Sequence, residues 1–124
     1  MDMINEYRAS IFDGKADVSW LHHGWRGLRL YGRRAKAAIE AGDMATKAVM
    51  LARADELLTL MSGILDTSDG SKLGPALMTI YSALRFTLLR ANTENSQSAL
   101  DDFEAALAIL DRDMAKVSEG ALVA

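Results

Sequence analysis

The chain has 124 residues, no cysteine and a single proline, and half of its residues are apolar. That length is sufficient for one domain with its own core, and the absence of cysteine excludes disulfide frameworks, zinc ribbons and cysteine nucleophiles. A net charge of −3 argues against a dedicated nucleic-acid binder, and no apolar run is long enough for membrane insertion.

Residues 1–16 are predicted to form an N-terminal arm that ends near Asp13-Gly14. The opening stretch MDMINEYRAS has neither the basic nor the apolar region of a signal peptide, so we expect a cytoplasmic protein. Because the arm carries Ile4 and Tyr7 among other apolar residues, we expect it to dock on the rest of the chain. There it would cover an apolar groove until a partner displaces it.

Residues 17–119 are predicted to form four helices separated by short polar or glycine-containing breaks. The predicted ranges are about 17–41, 43–65, 71–92 and 95–118. No alternating run rich in Val, Ile and Thr is present, so strands are not expected. Gly42 tolerates left-handed geometry and Asp43 can cap the second helix, while Pro75 falls in the first turn of the third.

Apolar residues recur at spacings of three and four in every predicted helix, which indicates one buried stripe per helix. The stripes are Val18, Leu21, Trp25, Leu28, Gly32, Ala35 and Ile39; then Met50, Leu51, Ala54, Leu57, Leu58, Met61, Ile64 and Leu65; then Leu73, Leu77, Ile80, Leu84, Leu88 and Ala91; and finally Leu100, Phe103, Leu107, Leu110, Met114 and Val117. Four comparable amphipathic helices with short connections predict an all-α, antiparallel up-down four-helix bundle.

Three glycines in the first helix, Gly24, Gly27 and Gly32, require an explanation because each costs about 1 kcal/mol relative to alanine. The simpler interpretation is tight packing inside the bundle beside Trp20 and Trp25. The alternative is a shallow groove for a helix of a partner protein.

No catalytic, metal or cofactor site is predicted. His22 and His23 are adjacent, so their side chains diverge by about 100° on a helix, whereas helical metal ligands are spaced by three or four residues. Asp69-Gly70-Ser71-Lys72 lacks the spacing of a phosphate-binding loop, and no Ser/His/Asp arrangement is specific enough to name. The sequence therefore does not indicate an enzyme.

Charge is segregated between the first and last helices. The basic set is Arg26, Arg29, Arg33, Arg34 and Lys36, and the acidic set is Asp101, Asp102, Glu104, Asp111 and Asp113. Because these helices are neighbours in an up-down bundle, we expect the two sets to neutralise one another in part.

Phe86 lies on the side of the third helix opposite its apolar stripe, together with Thr79, Ser82, Ala83 and Arg90. An aromatic side chain in that position indicates a second packing surface or a contact with a partner. Binding is therefore better supported than catalysis.

Over about residues 18–110 the chain resembles the FliS family of flagellin export chaperones. The similar segments are Leu21-His22-His23-Gly24, the helix end and turn at 35–43 (AKAAIEAGD), residues 47–66 (KAVMLARADELLTLMSGILD) and residues 70–92 (GSKLGPALMTIYSALRFTLLRAN). The chain departs from the family at His22-His23, which replaces an aromatic–acidic pair. The last helix also lacks the family's tryptophan, with Met114 near that position.

The resemblance implies a cytoplasmic secretion chaperone of bacterial flagellum assembly. It would bind the C-terminal disordered segment of flagellin, prevent premature polymerisation and aid type III export, with the flagellar export gate as a further candidate partner. By matching positions it implies partner contacts at Ile4, Tyr7, Leu21, Leu28, Tyr31, Tyr81, Leu84, Leu88 and Asn92, to which Phe86 is added from its helical position. The alternative is a paralogous, self-associating helical bundle with a different client, in which a weak homodimer uses the exposed apolar residues.

Overall fold

The computed structural model describes Ile4 and residues 18–65 and 73–115. These residues form four helices, which we number α1 Val18–Ala41, α2 Met44–Gly63, α3 Leu73–Glu94 and α4 Gln97–Ala115. No strand occurs among the described residues.

The four helices pack as a closed ring in chain order. α1 packs against α2 and α4, and α3 packs against the same two helices. Side-chain pairs establish the antiparallel direction of α1 and α4, because Arg29 meets Glu104 whereas Lys36, two turns later, meets the earlier Asp101. The predicted all-α four-helix bundle is confirmed.

Local chemistry at two turns explains why the helices stop where they do. Gly42 has a φ of 72°, and its N–H donates to the carbonyl of Ile39 while the Asp43 N–H donates to the carbonyl of Ala38, so two carbonyls of the last turn of α1 are satisfied. Asp43 then accepts from the backbone N–H of Thr46 at 3.1 Å and from its hydroxyl, which lowers the pKa of the Asp43 carboxyl.

The α3–α4 turn repeats this design with an asparagine in place of the glycine. Asn95 has a φ of 49°, and the following Ser96 N–H bonds to the carbonyl of Ala91. Ser96 Oγ accepts from Ala99 N–H at 3.0 Å and caps α4. As a consequence α3 continues to Glu94, two residues past the predicted end, and α4 starts at Gln97 rather than 95.

α2 is also shorter than predicted, running from 44 to 63 instead of 43 to 65. Asp43 serves as the cap at its start, and Ile64 is the cap at its end. The predicted residues 71–72 and 116–118, together with the arm apart from Ile4, lie outside the described residues.

Among the side chains that the structure describes, which do not include Val18 and Val117, the residues of the predicted stripes lie in the core or pack against it. The buried apolar residues are Ile4, Trp25, Leu28, Tyr31, Ala35, Ala38, Leu51, Ala54, Leu57, Leu58, Met61, Leu77, Tyr81, Leu84, Leu88, Ala91, Ala99, Leu100, Phe103, Leu107, Leu110 and Met114. Leu21, Ile39, Met50, Ile64, Leu65, Leu73 and Ile80 pack against this core and are partly buried.

Two contacts, one polar and one tight, fix how the helices fit together. The indole of Trp25 donates to the hydroxyl of Tyr81 at 3.0 Å inside the core, and burial raises the pKa of Tyr81 to about 12. An added Cβ at Gly32 would lie 3.1 Å from Cδ2 of the Phe103 ring, so this glycine lets α4 approach α1 closely. At Gly32 the packing interpretation of the α1 glycines is therefore the one observed.

Lys47 is the buried charged residue of the described core. Its ammonium donates to the backbone carbonyl of Asn92 at 3.2 Å and to Oδ1 of Asn95 at 2.6 Å. It thus joins the start of α2 to the end of α3, where helix carbonyls lack partners within their own helix.

None of the described helices has the length and apolar character needed to cross a membrane.

Candidate partner-binding surface

The most exposed large apolar side chains of the described residues lie on α3. Phe86 is 73% exposed and Leu89 is 57% exposed, one turn apart on the same side of the helix. Leaving an aromatic ring in water is unfavourable in a monomer, because each Å² of apolar surface is worth about 25 cal/mol when buried. The sequence-based placement of Phe86 outside the core is confirmed.

These two residues border a groove between α2 and α3. One cavity of about 250 Å³ is lined by Ala48, Leu51, Ala52, Asp55, Arg85, Leu88, Leu89 and Asn92. A second cavity of about 410 Å³ is lined by Asp55, Ser82, Arg85, Phe86 and Leu89. Because they share three residues, the cavities form one continuous depression, which we call the α2–α3 groove.

The groove runs along α3 from Ser82 to Asn92. At 1.5 Å per residue this distance is about 15 Å, the length of about three helical turns. On the α2 side the exposed wall consists of the small residues Ala48 and Ala52. Small residues along one wall and an exposed aromatic ring on the other side are features of a groove in which an amphipathic helix can dock.

An ion pair crosses the groove where the two cavities meet. Arg85 Nε donates to Asp55 Oδ1 at 3.1 Å, and the two side chains are 48% and 51% exposed. An exposed pair of this kind contributes at most about 1 kcal/mol to folding, so its main significance is its position.

The residues singled out from the sequence fall into three groups. Leu28, Tyr31, Tyr81, Leu84 and Leu88 are buried in the bundle core, as is Ile4, and Leu21 is partly buried. Phe86 and Asn92 are exposed and line the α2–α3 groove, where Leu88 forms part of the floor. Tyr7 lies outside the described residues.

The predicted neutralisation between α1 and α4 is observed. Glu104 accepts from Arg29 at 3.0 Å and from Arg33 at 2.7 Å. Lys36 donates to Asp101 at 2.7 Å, which raises the pKa of the Lys36 ammonium. Much of the basic set on α1 thus serves the α1–α4 contact.

His22 takes part in the same α1–α4 contact. Its Nδ1 pairs with Asp111 Oδ1, and its ring meets Trp25 edge-to-face at 5.1 Å. His23 instead stacks edge-to-face on Trp20 at 5.2 Å. The two histidines therefore point to different neighbours, and the described part of the chain contains no cluster of three His, Asp or Glu residues able to hold a metal ion.

Sequence reasoning did not single out Ala48, Ala52, Asp55 or Leu89 as surface residues. Leu89 could have been found, since it follows Phe86 at the spacing of three that places both on one face. Asp55 and Arg85 are 30 residues apart, and nothing local in the sequence relates them.

Comparison with known families gives a match to one model. The family described as "Flagellar protein FliS" matches residues 25–119, most of the chain. The chain belongs to the FliS family. No curated protein matches it. Family membership makes it one of the flagellar export chaperones, which are not known as enzymes, and the FliS match includes both walls of the α2–α3 groove.

Proposed function

We propose that this FliS-family protein is a cytoplasmic chaperone that binds the C-terminal disordered segment of flagellin in the α2–α3 groove. Binding would cover the apolar face through which that segment polymerises, and the complex would then be delivered to the flagellar export gate. The observation that carries the proposal is the exposed pair Phe86 and Leu89 beside the groove, in a chain of this family.

The groove suits a client that becomes helical when it binds. It offers about three turns of contact length, with apolar residues along both walls. A disordered segment that orders on binding loses conformational freedom, which reduces the net affinity for a given contact area. That property is useful to an export chaperone because the client must be released again.

The buried candidates contribute indirectly under this proposal. Leu28, Tyr31, Tyr81 and Leu84 hold the bundle together, so that the groove is preformed rather than assembled by the client. Ile4 is buried in the same core and ties the start of the chain to the bundle. Tyr7 retains its proposed role as a residue of the covering arm.

The test is a titration of the protein with a peptide of the flagellin C-terminal segment. Isothermal titration calorimetry should give a 1:1 complex, and circular dichroism should show more helix than the sum of the two separate components. The absence of binding at tens of micromolar would overturn the flagellin assignment. The bundle itself would be unaffected by that result.

A self-associating bundle is the second candidate, favoured by the same exposed apolar residues. Two copies could bury Phe86 and Leu89 against each other, which would occupy the groove. Light scattering at two protein concentrations separates the candidates. A chaperone ready for its client should be monomeric or weakly dimeric, whereas an obligate dimer at both concentrations would favour self-association.

A further inference from the structure

The ion pair in the middle of the α2–α3 groove leaves part of each partner unused. Arg85 contacts Asp55 through a single pair of atoms, Nε and Oδ1. Within the described residues, neither the terminal guanidinium nitrogens of Arg85 nor Oδ2 of Asp55 has another hydrogen-bond partner. As far as the described residues go, these donors and this acceptor are therefore available side by side to a ligand in the groove.

A helix seated in the groove must cover this pair, because Asp55 and Arg85 line both cavities. Both side chains are about half exposed in the free protein and would lose that hydration. Removing water from charged groups without replacing its hydrogen bonds is costly. A wholly apolar client face would therefore bind here at a penalty.

The chemistry of the pair selects among polar side chains. A carboxylate on the client would be attracted by Arg85 and repelled by Asp55, and a lysine ammonium would meet the reverse situation. A carboxamide carries a carbonyl that accepts from Arg85 and an NH₂ group that donates to Asp55. Because a carboxamide carries no charge, it can bond to Arg85 and Asp55 at once without repulsion from either.

We propose that Asp55 and Arg85 together bind the carboxamide of an Asn or Gln side chain that lies within the apolar face of the client helix. This inference rests on the proposed function, since it takes the α2–α3 groove as the client site. The two cavities on either side of the pair would receive apolar side chains. The expected client pattern is thus apolar, carboxamide, apolar at spacings of three or four residues.

The experiment uses the full chain and four amphipathic peptides that differ at one position in the centre of the apolar face, occupied by Gln, Leu, Glu or Lys. Calorimetry should show the Gln peptide binding about tenfold more tightly than the other three, because each of those leaves a buried polar or charged group without a hydrogen-bond partner. Equal affinities, or no binding of the Gln peptide, would overturn the inference. The flagellin segment is titrated in parallel, and its failure to bind would overturn the proposed function separately.

Two double variants provide matched controls. In Asp55→Leu/Arg85→Leu the order should invert, with the Leu peptide binding most tightly. In Asp55→Arg/Arg85→Asp the pair is reversed, and the preference for Gln over Glu should persist because a carboxamide can rotate to present its other edge. Loss of the preference for Gln in the reversed variant would show that the client side chain interacts with only one of the two charged residues. That result would overturn the inference. Circular dichroism melts confirm that both variants fold.

Discussion

Replacing Phe86 with alanine should weaken client binding while leaving the bundle intact. A buried phenylalanine removes roughly 150–250 Å² from water. With the side chain 73% exposed in the free protein, about 110–180 Å² remains available to a partner. At about 25 cal/mol per Å² this area corresponds to about 3–4.5 kcal/mol if the client covers all of it.

Covering is incomplete at a groove edge, so we expect about half of that value, a loss of affinity of about 10- to 50-fold for the flagellin C-terminal segment. Isothermal titration calorimetry measures this loss directly. Ile109→Ala is the matched control, because Ile109 is 49% exposed on α4, away from the groove, and its removal should change the affinity little.

The stability of Phe86→Ala should equal that of the original protein within about 0.5 kcal/mol, because the ring has little contact to lose and alanine is a good helix former. Unchanged affinity in Phe86→Ala would refute the placement of the client. An equal loss in Ile109→Ala would refute it as well, since a general effect of exposed apolar surface would then explain both results.

Three further predictions concern the bundle itself and use urea unfolding. The free energy of unfolding should fall by up to about 3 kcal/mol between pH 10 and 12 through Tyr81, because the unfolded phenol ionises first and the folded one retains its proton up to a pKa of about 12. Tyr81→Phe should remove this pH dependence. Gly32→Ala should fail to stabilise, or should cost about 1 kcal/mol, because the added Cβ crowds a buried ring, whereas Gly63→Ala, with open space around it, should be neutral or stabilising. Lys47→Met should cost about 1–3 kcal/mol because it leaves acceptors at the α3 terminus unsatisfied, whereas Lys36→Met on the surface should have little effect.

Each of these has a distinct refuting outcome. If the free energy of unfolding of Tyr81→Phe still falls by the same amount between pH 10 and 12, groups other than Tyr81 cause the pH dependence. Gly32→Ala stabilising as much as Gly63→Ala would mean that α1 and α4 are not in close contact at that point. If Lys47→Met and Lys36→Met lower the free energy of unfolding equally, Lys47 does not stabilise the bundle by joining α2 to α3.

Periodicity predicted most of the fold because burial in a bundle repeats along each helix. The stripe through Trp25, Leu28 and Ala35 is buried as expected, and the turn at Gly42 and Asp43 follows from backbone geometry that depends on neighbouring residues alone. The same periodicity places Phe86 outside the core, where it is found.

What periodicity could not predict is the register between helices. Lys47 contacts Asn95 and Asp55 contacts Arg85 because α2 and α3 pack in one particular axial alignment. Periodicity also does not determine whether a residue near the edge of an apolar stripe, such as Tyr81, faces the core or a partner protein. Its hydroxyl is buried because the indole of Trp25, 56 residues earlier, supplies a donor.

The most direct test of the central claim, that the α2–α3 groove holds the flagellin segment, is site-specific photo-crosslinking. A benzophenone amino acid is introduced in place of Ser82, which lines the groove, or in place of Ala105, which is exposed on α4. Irradiation with the flagellin C-terminal segment should give a crosslinked 1:1 product from position 82 and little from position 105. Equal crosslinking at both positions, or crosslinking from position 105 alone, would contradict the claim.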